Sequence, residues 1–223
     1  MHAFACGCAA VPATFAAAPV WSAGVPKTTL TADQGLALLK EGNAAFVKGE
    51  ACTPTAGLAR LDELAKGQGP FATIIGCADS RTAPEHFFSR GVGELFVVRV
   101  AGNTVDTAGL GSVEYGVAAL GTPLIVVLGH THCGAVSAAV KVVKENAAYP
   151  GHIGDMVAPI VPAVKSVAKE ADVVAAATEA NVRRTVAQLQ KAKPIVAKAV
   201  VEGKVKIVGA VCNLETRAVT FLS

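Results

Sequence analysis

Five residues in two short stretches have the types and spacing to do chemistry together. Cys77, Asp79 and Arg81 lie in the run Cys-Ala-Asp-Ser-Arg, and His130 and Cys133 lie in His-Thr-His-Cys further along the chain. Thiolate and imidazole are the donors that zinc prefers, so Cys77, His130 and Cys133 form a candidate Cys2His set. One turn can supply His130 and Cys133, while Cys77 must arrive from elsewhere. A zinc finger differs, because there two local pairs staple a fold too small to hold itself. Three protein ligands leave a fourth position for water or substrate, the arrangement of a catalytic metal. Asp79 is close enough to Cys77 to take that position itself. Arg81 could instead hold Asp79 in a bidentate pair and keep it off the metal. Two other readings use the same residues. One is a thiol hydrolase with Cys77 or Cys133 as nucleophile and His130 as base. The other is a closed zinc site on a non-enzymatic scaffold, against which the Asp79–Arg81 pair argues.

A scaffold must bring these stretches together, and the flanking sequence indicates which. Phe71–Gly76, Leu95–Val100, Pro123–Gly129 and Val205–Val211 are short apolar runs that read as strands. Thr31–Lys48, Gly57–Lys66, Pro84–Arg90, Leu110–Leu120, Ala135–Glu145 and Glu179–Gln190 carry helical spacing. Alternating strands and helices imply right-handed crossovers, hence an α/β fold with a mostly parallel β-sheet flanked by helices. Ala218–Leu222 follows a short turn and reads as an antiparallel edge strand. In open α/β sheets ligands bind beyond the carboxyl ends of strands. Both reactive stretches follow such ends, so neighbouring strands would place them at one mouth.

Composition narrows the class. With 52% hydrophobic residues and a net charge of +3, the 223-residue chain is too apolar to be disordered overall. Its mild excess of 20 Lys and Arg over 17 Asp and Glu is spread along the chain and gives no nucleic-acid footprint. Six cysteines are too few for a disulfide scaffold. Cys6, Cys8, Cys52 and Cys212 lack partners at metal spacing and read as free thiols in a reducing compartment, cytoplasmic or organellar. Residues 1–28 read as an N-terminal extension, flexible or targeting, ahead of a single domain over 29–223. Met1–Pro26 is Ala-rich and contains no Lys, Arg, Asp, Glu or Leu. Such a segment suits neither a membrane span nor a secretory signal, whereas a plastid-type transit remnant is compatible apart from its missing Arg.

The two motifs together resemble those of the β-class carbonic anhydrases, whose signature is Cys-x-Asp-x-Arg followed by His-x-x-Cys. The likeness runs from Thr29 to the C-terminus and includes Glu41–Phe46, Gly93–Asn103 and Gly111–Gly116. It implies an enzyme with one Zn2+ per chain, interconverting carbon dioxide and bicarbonate, with a homodimer as the minimal unit and larger assemblies common. Cys77, His130 and Cys133 stand where the family has its zinc ligands, and Asp79 and Arg81 where it has its catalytic pair. Gln68, Phe96 and Tyr115 match positions with which plant-like members line the substrate pocket, largely across the dimer interface. By themselves, a Phe in a strand and a Tyr on a helix would read as core. Val100 stands where many members have Asn, and His132 occupies a variable position in the ligand loop.

The chemistry so implied starts from a water made acidic by zinc. Asp79 would accept a hydrogen bond from the resulting nucleophile, and Arg81 would keep Asp79 ionised. A relative with the same ligands acting on carbon disulfide or carbonyl sulfide is the alternative. The helix at Thr31–Lys48 is expected to pack on a neighbouring subunit.

Overall fold

The computed structural model describes residues 27–50 and 58–223. Most of the 1–28 extension, together with Cys6, Cys8 and Cys52, lies outside the described residues.

The apolar runs form the strands. β1 (Ala72–Gly76) and β3 (Leu124–His130) are buried at every position, as unbroken apolar runs require when helices cover both faces. β1 pairs in parallel with β2 (Leu95–Arg99) on one side and with β3 on the other. β3 pairs in parallel with β4 (Lys206–Cys212), and β5 (Val219–Phe221) closes the edge antiparallel to β4. The spatial order is β2-β1-β3-β4-β5. The mostly parallel sheet with an antiparallel edge strand, expected from sequence, is the one observed.

Helices cover both faces. On one, α1 (Ala32–Lys48) and the short α3 (Pro84–Phe87) pack over Ile74, Val126 and Leu128. A capping box between Thr31 and Gln34 starts α1, and Gly49, at φ 74°, ends it. On the other face, α4 (Thr107–Tyr115), α8 (Val173–Gln190) and α9 (Val196–Val201) cover Ile75, Ile125 and Val127. α8 lies close to the sheet because Gly129 and Gly209 have no Cβ; one there would come within 2.7 Å and 2.8 Å of Val182. A third apolar cluster sits beyond the strand ends, where α5 (Gly134–Glu145), α6 (Ile153–Val157), α7 (Val161–Ser166) and the start of α8 surround Cys77 and Cys133. The short α2 (Leu58–Leu64) buries none of its residues.

The largest departures from the sequence reading are at three helix ends and in three helices it did not contain. α8 starts at Val173 rather than Glu179, because Asp172 caps it, accepting from the Ala175 N–H at 3.0 Å. α4 starts at Thr107 under an Asp106 cap, and Gly116–Leu120 continues it as a wider π turn. α3 stops at Phe87, and Ser89 then takes φ 48°. α6, α7 and α9 were not foreseen, since prolines and glycines around them interrupt any helical period. No helix among the described residues is long and apolar enough to cross a membrane.

Candidate metal centre

The sheet register builds the site. Gly76, the last residue of β1, pairs with Leu128, while β3 runs on to His130. Cys77 therefore leaves one strand end beside the imidazole that ends the next. Cys133 is the N-cap residue of α5. The donor atoms of Cys77, His130 and Cys133 lie within 4.8 Å of one another, and the two sulfurs are 4.0 Å apart. Tetrahedral zinc with bonds of about 2.0–2.3 Å separates its donors by roughly 3.3–3.8 Å, so small shifts complete the geometry. The three residues are 4%, 1% and 1% exposed for Cys77, His130 and Cys133, so their polar atoms must find partners within the protein.

His130 does so with one nitrogen only. Its Nδ1 is 2.8 Å from the Thr131 carbonyl, which fixes the proton on Nδ1 and leaves Nε2 with a free lone pair. Nε2 is buried and has no hydrogen-bond partner. The two cysteines complete the pattern. The hydrogen bond from Cys133 pulls the Cys77 thiol down against the opposing effect of burial, helped by His130 and by main-chain N–H groups of Gly102 and Asp79. Donating that proton pushes Cys133 up, and burial pushes it further. Two thiolates this close repel each other unless a cation lies between them. For His130 burial is the largest influence and opposes charge, but the Cys77 sulfur and the Thr131 carbonyl outweigh it and raise the imidazole. An orphaned nitrogen facing two sulfurs that cannot both ionise fits a thiophilic dication such as zinc.

Asp79 stands at the rim. Arg81 donates to it three times: Nε to Oδ1 at 2.9 Å, Nη2 to Oδ2 at 2.7 Å, and its backbone N–H to Oδ1 at 3.0 Å. These bonds hold the carboxyl far below the usual carboxylate range, with the guanidinium hydrogen bond the largest cause. Oδ2 is 3.8 Å from His130 Nε2, so the carboxylate adjoins the donor set while committed to Arg81. Arg81 Nη2 also donates to the His132 carbonyl at 3.3 Å and so ties the two ligand loops together.

Sequence reasoning missed the residues that hold these loops. Arg99 donates from Nε to the Cys77 carbonyl at 2.9 Å and from Nη2 to the Asp79 carbonyl at 2.6 Å. The Thr82 hydroxyl donates to the same Asp79 carbonyl at 2.9 Å. The available signal was a single charge at the carboxyl end of an otherwise apolar run. Gln68, Phe96 and Tyr115 lie elsewhere. Gln68 is exposed and precedes β1, at the opposite end of the strand from Cys77. Phe96 pairs with Thr73, which puts it about 13 Å down the sheet from Cys77 at 3.3 Å per residue. Its ring centroid is 6.1 Å from that of Tyr115.

Comparison with known proteins agrees with this geometry. A sequence model of the carbonic anhydrase family matches residues 72–219, a span that holds Cys77, Asp79, Arg81, His130 and Cys133. A carbonic anhydrase of Mycolicibacterium smegmatis is 42% identical over 180 residues, 79% of this chain and 86% of the relative. The Coccomyxa β-carbonic anhydrase, solved in complex with acetazolamide, superposes with TM-score 0.65 at 28% identity, covering 84% of this chain and 86% of that one. The chain belongs to the β-carbonic anhydrase family. Carbonic anhydrase 2 of Mycobacterium tuberculosis is 40% identical over 178 residues, again 79% of this chain and 86% of the relative. The β-carbonic anhydrase CcaA superposes with TM-score 0.68 at 25% identity, over 84% of this chain and 87% of that one. As a carbonic anhydrase the chain is a lyase, and the thiol-hydrolase and closed-scaffold readings fall away.

Proposed function

We propose that the domain over 29–223 reversibly hydrates carbon dioxide to bicarbonate and a proton, with one zinc ion per chain held by Cys77, His130 and Cys133. The observation that carries this is the buried Nε2 of His130, without a hydrogen-bond partner, close to two buried sulfurs 4.0 Å apart. Zinc there supplies Lewis acidity, which makes a water acidic enough to act as a nucleophile near neutral pH. Two thiolates and a neutral imidazole leave one position open.

Asp79 acts on the nucleophile. Its carboxylate stays ionised under the grip of Arg81, accepts a hydrogen bond from the attacking water, and turns a lone pair toward the carbon of carbon dioxide. Arg81 prevents Asp79 from turning onto the metal. Gln68, Phe96 and Tyr115 serve the pocket across a homodimer interface, since one chain holds them away from its own metal ligands. The aromatic pair offers apolar surface to carbon dioxide, and Gln68 a hydrogen bond to bicarbonate. A cytoplasmic or organellar compartment suits the centre, since a reducing environment keeps both sulfurs available as thiolates.

Metal analysis alongside stopped-flow hydration of carbon dioxide tests the proposal. The expected result is about one zinc per chain, with activity lost on chelation and restored by zinc. Full turnover in a metal-free preparation would overturn it.

A further inference from the structure

α8 carries Asn181, Thr185 and Gln188 along one face, at helical spacing that stacks them one above another. All three donate to main-chain carbonyls of the turn that leaves β2. Asn181 Nδ2 reaches the Gly102 carbonyl at 2.7 Å, Thr185 Oγ1 the Asn103 carbonyl at 3.4 Å, and Gln188 Nε2 the Val105 carbonyl at 3.1 Å. Asn181 is 1% exposed, and a buried amide is costly unless its bonds are made. The turn it grips is tightly enclosed. Gly102 has φ 78°, and a Cβ there would lie 2.5 Å from Ile160 Cδ1 and 3.1 Å from Ala135 Cβ. Asn103 follows at φ 46°, also left-handed. On its other side Gly102 donates its N–H to the Cys77 sulfur at 3.2 Å.

We propose that Asn181 is a positioning residue for the metal centre. By fixing the Gly102 carbonyl to α8, it keeps the Gly102 N–H aimed at the Cys77 sulfur and so sets how much electron density that sulfur gives the metal. A hydrogen bond to a thiolate lowers the energy of its lone pair and weakens donation, leaving the metal more electrophilic. Thr185 and Gln188 grip residues that do not touch the sulfur, so they anchor the turn without tuning it. The inference rests on the reading of Cys77, His130 and Cys133 as metal ligands.

Cobalt-substituted protein provides the test, because the thiolate-to-cobalt charge-transfer band reports the energy of the sulfur lone pair. Asn181→Leu keeps the shape of the side chain and removes its donor. The band should move to lower energy, because the sulfur lone pair rises once the bond from the Gly102 N–H is loosened. Asn181→Ala removes the same donor and gives the same reading should the leucine variant not fold. Thr185→Val should lower thermal stability and leave the band in place. An unmoved band in a folded, metal-loaded Asn181 variant would overturn the proposal. So would an equal shift in Thr185→Val, which would make the effect a general loosening of the turn. A wild-type chain with no thiolate-to-cobalt band would instead overturn the ligand assignment, and this inference with it.

Discussion

The two loops that meet at the candidate metal centre are held in different ways. The loop after β3 is fixed mostly by main-chain N–H and carbonyl groups. The Thr131 N–H donates to the Cys212 carbonyl at 2.9 Å, the Leu214 N–H donates to Thr131 Oγ1 at 3.0 Å, and the Cys133 carbonyl accepts the Ser137 N–H at 2.9 Å as α5 begins. The loop after β1 is fixed by side chains. Arg99 and Thr82 hold its carbonyls, and Arg81 holds the Asp79 carboxylate. Arg81 is 55% exposed at its side chain and Asp79 17%. The first arrangement suits ligands that must not move, because breaking it strands buried polar groups. The second suits a carboxylate that must stay ionised and oriented, because charge-assisted bonds near solvent can re-form after each turnover.

The largest effect should come from the rigid loop. Cys133→Ala removes a proposed ligand and the sulfur that lies 4.0 Å from that of Cys77. Metal binding should be lost, and with it several kcal/mol of transition-state stabilisation, about a thousandfold in hydration rate or more. Stopped-flow rates and zinc content measured on one sample check this. A zinc-loaded, active Cys133→Ala would remove the distinction between the loops.

The side-chain-held loop should give a smaller and different loss. Arg81→Ala should keep its zinc while hydration falls about 100-fold, since it frees one oriented group and spares every ligand. The pH profile should change as well. With Arg81 present, the carboxyl of Asp79 is held well below the usual carboxylate range, so no acid limb near pH 4 belongs to it. Without Arg81, Asp79 should titrate near its unperturbed value of about 3.9, and a new acid limb should rise with that group. Wild-type turnover in Arg81→Ala at every pH would deprive the Asp79–Arg81 pair of a catalytic role.

Arg99 should come next. Arg99→Ala releases two loop carbonyls but neither ligand nor carboxylate, so an intermediate loss of about tenfold in hydration, with zinc retained, is expected. A loss as deep as that of Cys133→Ala would mean that Arg99 holds the metal site itself together.

This ordering also shows what a sequence can reveal. The cluster of Cys77, His130 and Cys133 and the Asp79–Arg81 pair were legible as candidates because their side-chain chemistry is rare and their spacing local. The strands were legible because runs such as Ala72–Gly76 are buried on both faces and so are mostly apolar and uncharged. Arg99 and Asn181 were not. Each acts on main-chain carbonyls of residues distant in sequence, through hydrogen bonds that any Arg or Asn could make in some other fold. The start of α8 was hidden for a related reason. Val173–Ala177 is apolar because it packs beside the cysteines beyond the sheet, so it shows no alternation of faces. Gln68, Phe96 and Tyr115 became visible only through family likeness, as expected for residues whose proposed role needs a second chain.

The smallest effect separates distance from context. Asp33 at the start of α1 meets Lys206 at the start of β4 with a nitrogen–oxygen distance of 2.7 Å, the same as between Arg81 and Asp79. Distance alone would rank the two pairs equally. Yet the Asp33 side chain is 82% exposed and that of Asp79 17%. Solvent screens an exposed pair, and ordering a long lysine side chain offsets much of the attraction. The hydrogen bond from Lys206 and its charge lower the Asp33 carboxyl from its ordinary value. A group with a depressed folded pKa stabilises the fold above its unfolded pKa and loses that contribution as pH falls through the folded value. Lys206→Met should therefore lower the urea midpoint slightly at neutral pH and leave it unchanged once Asp33 is protonated in both states. Raising salt to about 1 M should erase the difference at neutral pH as well. Hydration of carbon dioxide should be unaffected throughout. A salt-resistant loss would mean that Lys206 stabilises by something other than screened attraction to Asp33, since Met keeps most of the aliphatic stem.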